Sequence, residues 1–187
     1  PRPRPFAPRW HGSFDRPPTA EELAKMKSFV DQAMKDGAAG LSTGLIYLPG
    51  VFSKTDEIVE LAKVISPYGG IYASHMRHED SRIFEALDEV IRVAREARVR
   101  AEVSHIKLAG ERSWHQADKV LAYLEKARAE GLDITQDQYA YTASSTTMRQ
   151  LIPDEAFDGG KDKFREIIGD PDKKAKLVTD MKKKLAN

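Results

Sequence analysis

The chain contains no cysteine, so neither a disulfide nor a thiolate nucleophile or metal ligand is available within its 187 residues. It has almost no net charge either: 30 Lys and Arg against 29 Asp and Glu leave a formal +1. No global field therefore draws it to nucleic acid or to a membrane surface. No apolar run approaches the ~20 residues that span a bilayer. No hydrophobic signal-peptide core follows the N-terminus. The default this predicts is a cytoplasmic enzyme domain, although a chain without cysteine is also compatible with export. The glycine-rich stretch Gly37–Gly44 (GAAGLSTG) is not a phosphate loop, because it lacks the Gly-Lys-Ser/Thr ending. A nucleophile elbow with a Ser-His-Asp set is missing as well.

What is present is an ordinary globular composition, 41% hydrophobic and 32% charged, in a length that suits one domain with a real core. A period of roughly thirty residues runs along it. Four short apolar segments follow Gly-marked or turn-like stretches: Gly40–Gly44 (GLSTG), Gly70–His75 (GIYASH), Arg100–His105 (RAEVSH) and Leu132–Tyr139 (LDITQDQY). Helix patterns alternate with them. Thr19–Asp36 opens with a Thr-Ala-Glu-Glu capping box and carries Leu23, Met26, Phe29, Val30 and Met34 on one face. Thr55–Ser66, Ser81–Arg98 and Ser113–Glu130 have apolar stripes of the same kind, the last built from Ala117, Val120, Leu121, Leu124 and Ala127. Trp114 is expected to pack the start of that last helix. The order αβ-αβ-αβ-αβ predicts an α/β fold with a parallel sheet and helices outside it.

Each strand is apolar early and polar at its C-terminal end: Ser42-Thr43, Ser74-His75, Ser104-His105, then Gln136-Asp137-Gln138-Tyr139. In parallel α/β folds that edge carries ligands and catalytic groups. A complete (β/α)₈ barrel takes about 250 residues, so four units predict a partial TIM-type barrel and an internal section of a larger enzyme. Three regions follow: an extended Pro- and Arg-rich arm over 1–18, the partial barrel over 19–153, and a Lys- and Asp-rich tail over 154–187. The tail has two helix patterns, Lys161–Ile168 and Pro171–Leu185, that do not resume the strand–helix rhythm.

His75 and His105 are the sharpest chemical signal. Both follow a serine, and both precede an apolar residue and then a cation, Arg77 or Lys107. Two imidazoles at the ends of neighbouring parallel strands put two nitrogen donors within reach of one ion such as Zn²⁺. Such an ion suits amide hydrolysis. His78 and Glu79 follow closely, and His78 reads as a loop residue rather than a ligand. His11 and His115 have no partners in the pattern and read as surface residues. Lys107 lies two residues past His105, so in an extended strand its ammonium would share the same face and could pair with a substrate carboxylate. Tyr47, Tyr139, Tyr141, Ser144 and Ser145 also fall just past strand ends.

Four motifs in order and spacing, GAAGLSTGLIYL (Gly37–Leu48), YGGIYASHMRHE, EVSHIKLAG and DQYAYTASSTTMRQLIPD, resemble the N-acyl-D-amino-acid deacylase family of the amidohydrolase superfamily. The resemblance covers about Arg16 to Gly160. It implies a metal-bearing (β/α)₈ barrel with a small β-sandwich, and hydrolysis of an N-acyl-D-amino acid to a carboxylate and a free D-amino acid. It implies that the four strands are the fourth to seventh of the barrel. It implies zinc as the cofactor, held in part by His75 and His105. It assigns Tyr47, Lys107, Tyr139 and Ser145 to the substrate pocket, with Tyr141 or Ser144 as the one-residue alternatives. The tail after Ile152 resembles the family's inserted segment over the site.

The departures are equally specific. The family's first-strand His-x-His pair and its metal-binding cysteine are absent. The last-strand aspartate that serves as general base is expected outside this chain, so no catalytic residue is assigned within it. Pro1–Trp10 does not resemble the family. The expected partner is a small N-acyl-D-amino acid, with no nucleic acid and no membrane, and with either self-association or association with the missing barrel half. Two alternatives stand beside this reading. One is a dihydroorotase- or hydantoinase-like cyclic amidase, which usually brings a carboxylated lysine where this chain has GLSTG. The other is a non-catalytic assembly domain.

Overall fold

The structure, a computed structural model, describes residues 15–186. The first fourteen residues of the expected arm, His11 among them, lie outside the described residues. The chain runs α1 (Ala20–Lys35), β1 (Gly40–Gly44), α2 (Thr55–Ile65), β2 (Ile71–His75), α3 (Ile83–Ala97), β3 (Arg100–Val103), α4 (Ala117–Ala129), β4 (Ile134–Gln136), α5 (Gly160–Gly169) and α6 (Pro171–Ala186). The capping box forms as the sequence dictates. Thr19 Oγ1 accepts from the Glu22 backbone N–H at 3.2 Å, and Glu22 Oε2 accepts from the Thr19 N–H at 2.8 Å. Arg98, in left-handed conformation at φ 55°, ends α3 and turns the chain into β3.

The four strands form one parallel sheet in the order β1-β2-β3-β4. Neighbours in sequence are neighbours in space, and no strand is skipped. The pairing places Leu41, Tyr72, Ala101 and Ile134 in one row and Thr43, Ser74, Val103 and Gln136 in the next, all on one face. This face is covered. Tyr72, Ala101, Val103 and Ile134 are buried in a single core with Ile58, Val59, Ala62 and Ile65 of α2, Leu87, Val90 and Val93 of α3, and Val120 and Leu124 of α4. The Tyr72 hydroxyl inside it lies 2.8 Å from Thr43 Oγ1, and burial pushes the phenol up to about 12. Tyr72 therefore stays neutral and holds strands β1 and β2 together.

The opposite face carries Ser42, Ala73, Glu102 and Thr135 across the sheet and ends on Gly44 and His75. Ser42 and Thr135 are exposed, and Ala73 and Glu102 are half-buried. The helices thus cover one side only. Close strand approach explains Gly40: a Cβ there would lie 1.9 Å from the Ile71 carbonyl oxygen.

Three packing expectations are corrected, the simplest being Ala117, which is exposed at the first position of α4. Trp114 is 61% exposed and does not pack the start of α4. It sits in a 3-10 turn, Glu111–Gln116, whose buried position is its neighbour Ser113. With three residues per turn, adjacent side chains point about 120° apart. Leu121 is 50% exposed, because the buried stripe of α4 runs Val120, Leu124, Ala127 and leaves position 121 one residue off it. The strands are also shorter than the patterns: β3 stops at Val103 and β4 covers only Ile134–Gln136. The expected tail helices form as α5 and α6. Among the described residues, no helix is long and apolar enough to cross a membrane.

Truncation at a core position and at an exposed one tests this assignment of faces. Leu87→Ala should cost about 2–5 kcal/mol in urea-denaturation free energy, whereas Leu121→Ala should change it by less than about 0.5 kcal/mol. Equal losses at the two sites would show that the buried faces are misassigned.

Candidate metal centre

Strands β2 and β3 deliver the two histidines by different routes. Ser74 pairs with Val103, so the residue level with His75 is Ser104, and His105 lies one further along. Continued as straight strands, the two side chains would point to opposite faces of the sheet. They do not, because the backbone leaves the strand path. His105 adopts φ +43°, one of two non-glycine residues with positive φ among those described. That left-handed conformation costs about 1–3 kcal/mol for such a residue. Asp137, just past β4, stabilises it: its carboxylate accepts a hydrogen bond from the His105 backbone N–H. The Asp137 carbonyl in turn accepts from the Ile106 N–H at 2.9 Å. The turn re-aims the His105 imidazole toward His75, and the two ring centroids stand 4.3 Å apart, edge to face.

Glu79, in the turn after β2, completes the cluster. Ligand atoms of His75, Glu79 and His105 all lie within 4.8 Å of one another, and all three residues are half-buried. His105 Nδ1 is 3.2 Å from Glu79 Oε1. Two donors on one tetrahedral zinc, each bonded at 2.0–2.1 Å, stand about 3.4 Å apart. Two imidazoles and a carboxylate are a donor set that catalytic zinc sites use with a fourth position open. The residues fit a divalent cation in both number and spacing.

Of the four residues expected in a substrate pocket, Tyr47, Lys107 and Tyr139 surround this cluster. Tyr47 lies in the loop after β1, its ring 4.8 Å from that of His75. Tyr139 stacks on His105 at 5.3 Å and 19°. Lys107 reaches back to the cluster. Its ammonium donates to Glu79 Oε1 at 2.5 Å, lies 2.9 Å from His105 Nδ1, and sits 4.8 Å over the Tyr139 ring. Ser145 stands apart: it is exposed in the stretch after β4, as are Tyr141 and Ser144, and no hydrogen bond among the described residues ties it to the cluster. His78 is half-buried and falls outside the three-residue group.

Two residues of this arrangement were missed in the sequence. Glu79 was visible in His-x-x-His-Glu but lies beyond the strand, where periodicity places nothing. Asp137 acts through backbone geometry, and only its position at a strand end hinted at a role. The surrounding loop is clamped by Arg77. Its guanidinium donates to the carbonyls of Val51 at 2.6 Å and Ser53 at 2.7 Å, and pairs with buried Glu89 at 3.0 Å. Thr55 donates to the same Glu89 carboxylate at 2.9 Å. The loop bearing Tyr47 is thereby fixed to α2, α3 and the end of β2.

Burial, the leading cause, holds the His75 imidazole below its ordinary 6.5. Glu79 opposes the shift, and His105 and Lys107 reinforce it. Burial lowers His78 too. Both rings are thus neutral near pH 7, which is the ligand form. The unfolded chain takes up these protons before the native one does, so stability should fall as pH drops through about 6.5. Chemical denaturation between pH 7 and 5 should show that decline, and His75→Gln should make it shallower. An unchanged slope would mean that His75 is not desolvated in solution. The turn at His105 makes a second prediction. His105→Gly should be more stable than His105→Ala by about 1 kcal/mol, because only glycine enters that backbone region freely. Equal stabilities would show that residue 105 does not hold the left-handed conformation in solution.

No family model matches the chain. Individual relatives do. A D-aminoacylase of Alcaligenes xylosoxydans xylosoxydans is 40% identical over 137 residues, covering 73% of this chain and 28% of the relative. Among solved structures, the crystal structure of a D-aminoacylase, said to define a novel subset of amidohydrolases, superposes with a TM-score of 0.69 at 36% identity. That match covers 72% of this chain and 28% of the other. An N-acyl-D-glutamate deacylase from Bordetella bronchiseptica, complexed with zinc and a phosphonate mimic of the tetrahedral intermediate, gives 0.64 at 33% identity, over 66% of this chain and 26% of that one. The chain therefore spans little more than a quarter of the length of the proteins it matches. Over the matched residues, it belongs to the N-acyl-D-amino-acid deacylase family of amidohydrolases.

Proposed function

We propose that this chain supplies metal-binding and substrate-holding residues of a zinc-dependent enzyme that hydrolyses N-acyl-D-amino acids to a carboxylate and a D-amino acid. One observation carries the reading. His75, Glu79 and His105 converge within 4.8 Å at the C-terminal edge of a parallel sheet, with an ammonium beside them. That edge is where barrel enzymes of this kind place their chemistry.

His75 and His105 would hold the zinc, with the Glu79 carboxylate beside them. When bound, the ion lowers the pKa of a water and polarises the scissile carbonyl. The chain's own residues do the holding. Lys107, Tyr139 and Ser145 are assigned to the substrate carboxylate, the group whose placement decides which enantiomer reacts. Tyr47, held by its clamped loop, packs the His75 ring and closes one wall. The family resemblance assigns the general base to an aspartate outside this chain, and no residue of this chain is given that role.

The same reading makes the four βα units the fourth to seventh staves of a closed barrel. The consecutive strand order, the one-sided helix cover and the 28% share of the relatives' length support a section of a larger barrel, and the fourth-to-seventh numbering is the one the family resemblance implies. The half-buried sheet face would then look into the barrel, and His75 ends that face. Residues 154–187 are assigned as a helical cover over the rim. Two bonds support this placement: the Gln150 side-chain amide donates to the Ile46 carbonyl at 3.2 Å, beside Tyr47, and Lys184 of α6 donates to the Ile152 carbonyl at 3.4 Å, next to that turn.

The purified chain should bind Zn²⁺ measurably but weakly, and should release little amine from N-acetyl-D-methionine. His75→Ala and His105→Ala should each abolish stoichiometric zinc in equilibrium dialysis. Unaltered metal content in both variants would remove the binding role. Robust turnover by the 187-residue chain alone would overturn the barrel-section reading.

A further inference from the structure

Lys107 and a divalent cation claim the same lone pairs. The Lys107 ammonium uses Glu79 Oε1 at 2.5 Å and lies 2.9 Å from His105 Nδ1. An ammonium has donors only, so His105 Nδ1 must be the acceptor in that contact. A cation can engage His105 through either ring nitrogen. If it takes Nδ1, the lone pair that Lys107 uses is consumed. If it takes Nε2, the ring proton moves to Nδ1, which then faces the ammonium donor to donor. Nδ1–H would instead donate to Glu79 Oε1, already 3.2 Å away, in the carboxylate–histidine–metal arrangement that orients such ligands. The contact between Lys107 and His105 is incompatible with both cases. Repulsion between the ammonium and a dication a few ångströms away acts in the same direction.

We propose that Lys107 is an internal counter-cation of this cluster, displaced when metal binds, so that metal loading releases the lysine for its work on an anionic substrate group. The proposal rests on the metal-centre reading above. The geometry permits the exchange, because the Lys107 side chain is 20% exposed and Glu79 is 11% exposed. The ammonium therefore has a route outward, along the face of the Tyr139 ring that it already overlies. Coupling is reciprocal: a group that draws Lys107 away from Glu79 should tighten metal binding, and metal should raise the availability of Lys107.

Two measurements on the full chain test this. Zinc affinity, by competition with a chromophoric chelator, should be at least about fivefold tighter in Lys107→Met than in the parent chain, as expected for a coupling of ordinary size. Lysine acetylation by acetic anhydride, followed by peptide mass spectrometry, should be slow at Lys107 without zinc and several-fold faster with it. Lys27, paired with Glu60 away from the cluster, should react at one rate in both conditions. Affinity in Lys107→Met equal to or weaker than the parent's would overturn the proposal, and so would a Lys107 modification rate that zinc leaves unchanged. If the parent chain binds zinc in a His75- and His105-dependent way and either of these results is obtained, this proposal alone falls. If no such binding occurs in the parent or in Lys107→Met, the metal centre falls and this proposal with it.

Discussion

A backbone that abandons its strand at one residue is the condition for this site. In register, the residue beside His75 is Ser104, and a regular β3 would turn His105 toward the helices. The left-handed step at His105 reverses that, and the carboxylate of Asp137, delivered by the next strand, holds the backbone amide in place. Three consecutive strand ends are thereby made interdependent. β2 supplies one imidazole, β3 supplies the other in a strained conformation, and the residue just past β4 pins the strain. Strain of this sort persists only where neighbours over-determine it, and here the neighbour is a named hydrogen bond.

The rest of the architecture serves that edge. Helices α2, α3 and α4 bury one face of the sheet in a continuous core, which fixes the strands relative to one another. The rim is then stiffened separately. Arg77 spends its guanidinium on two loop carbonyls and on Glu89, and so ties the Tyr47 loop to α3 rather than leaving it to solvent. The histidines thus sit between a rigid floor and a clamped wall, and burial keeps His75 in the neutral form that binds metal.

Much of this was legible in the chain, and for physical reasons. The thirty-residue rhythm, the capping box at Thr19 and the polar strand ends are local signals, and each reports one element's own periodicity or end. They yielded the four-stranded parallel sheet, the helices between, and the meeting of His75 with His105. What they misplaced depends on other elements. Whether Leu121 or Val120 faces inward turns on the rotation of α4 against the sheet, a difference of about 100° that a mostly apolar stripe does not resolve. Trp114 is large and apolar, but a 3-10 turn gave the buried position to Ser113. The left-handed turn at His105 left no mark, because histidine tolerates that region without announcing it as glycine would.

Glu79 was the deeper omission, and it changes how the cluster behaves. Two imidazoles alone would be a neutral pair with no hold on Lys107. With Glu79 the cluster becomes a half-buried anion flanked by two bases, and such a group must find a positive partner. Two are within its means: a metal ion, or the lysine two residues beyond His105. Because the turn at His105 folds Lys107 back over the cluster instead of letting it continue along the strand face, the lysine meets Glu79 directly. The same backbone step that brings the second histidine to the first therefore also installs the ion's competitor. The His-x-Lys spacing acquires its meaning from this turn, since an extended strand would carry both side chains to one face without bringing the ammonium onto the ligand atoms.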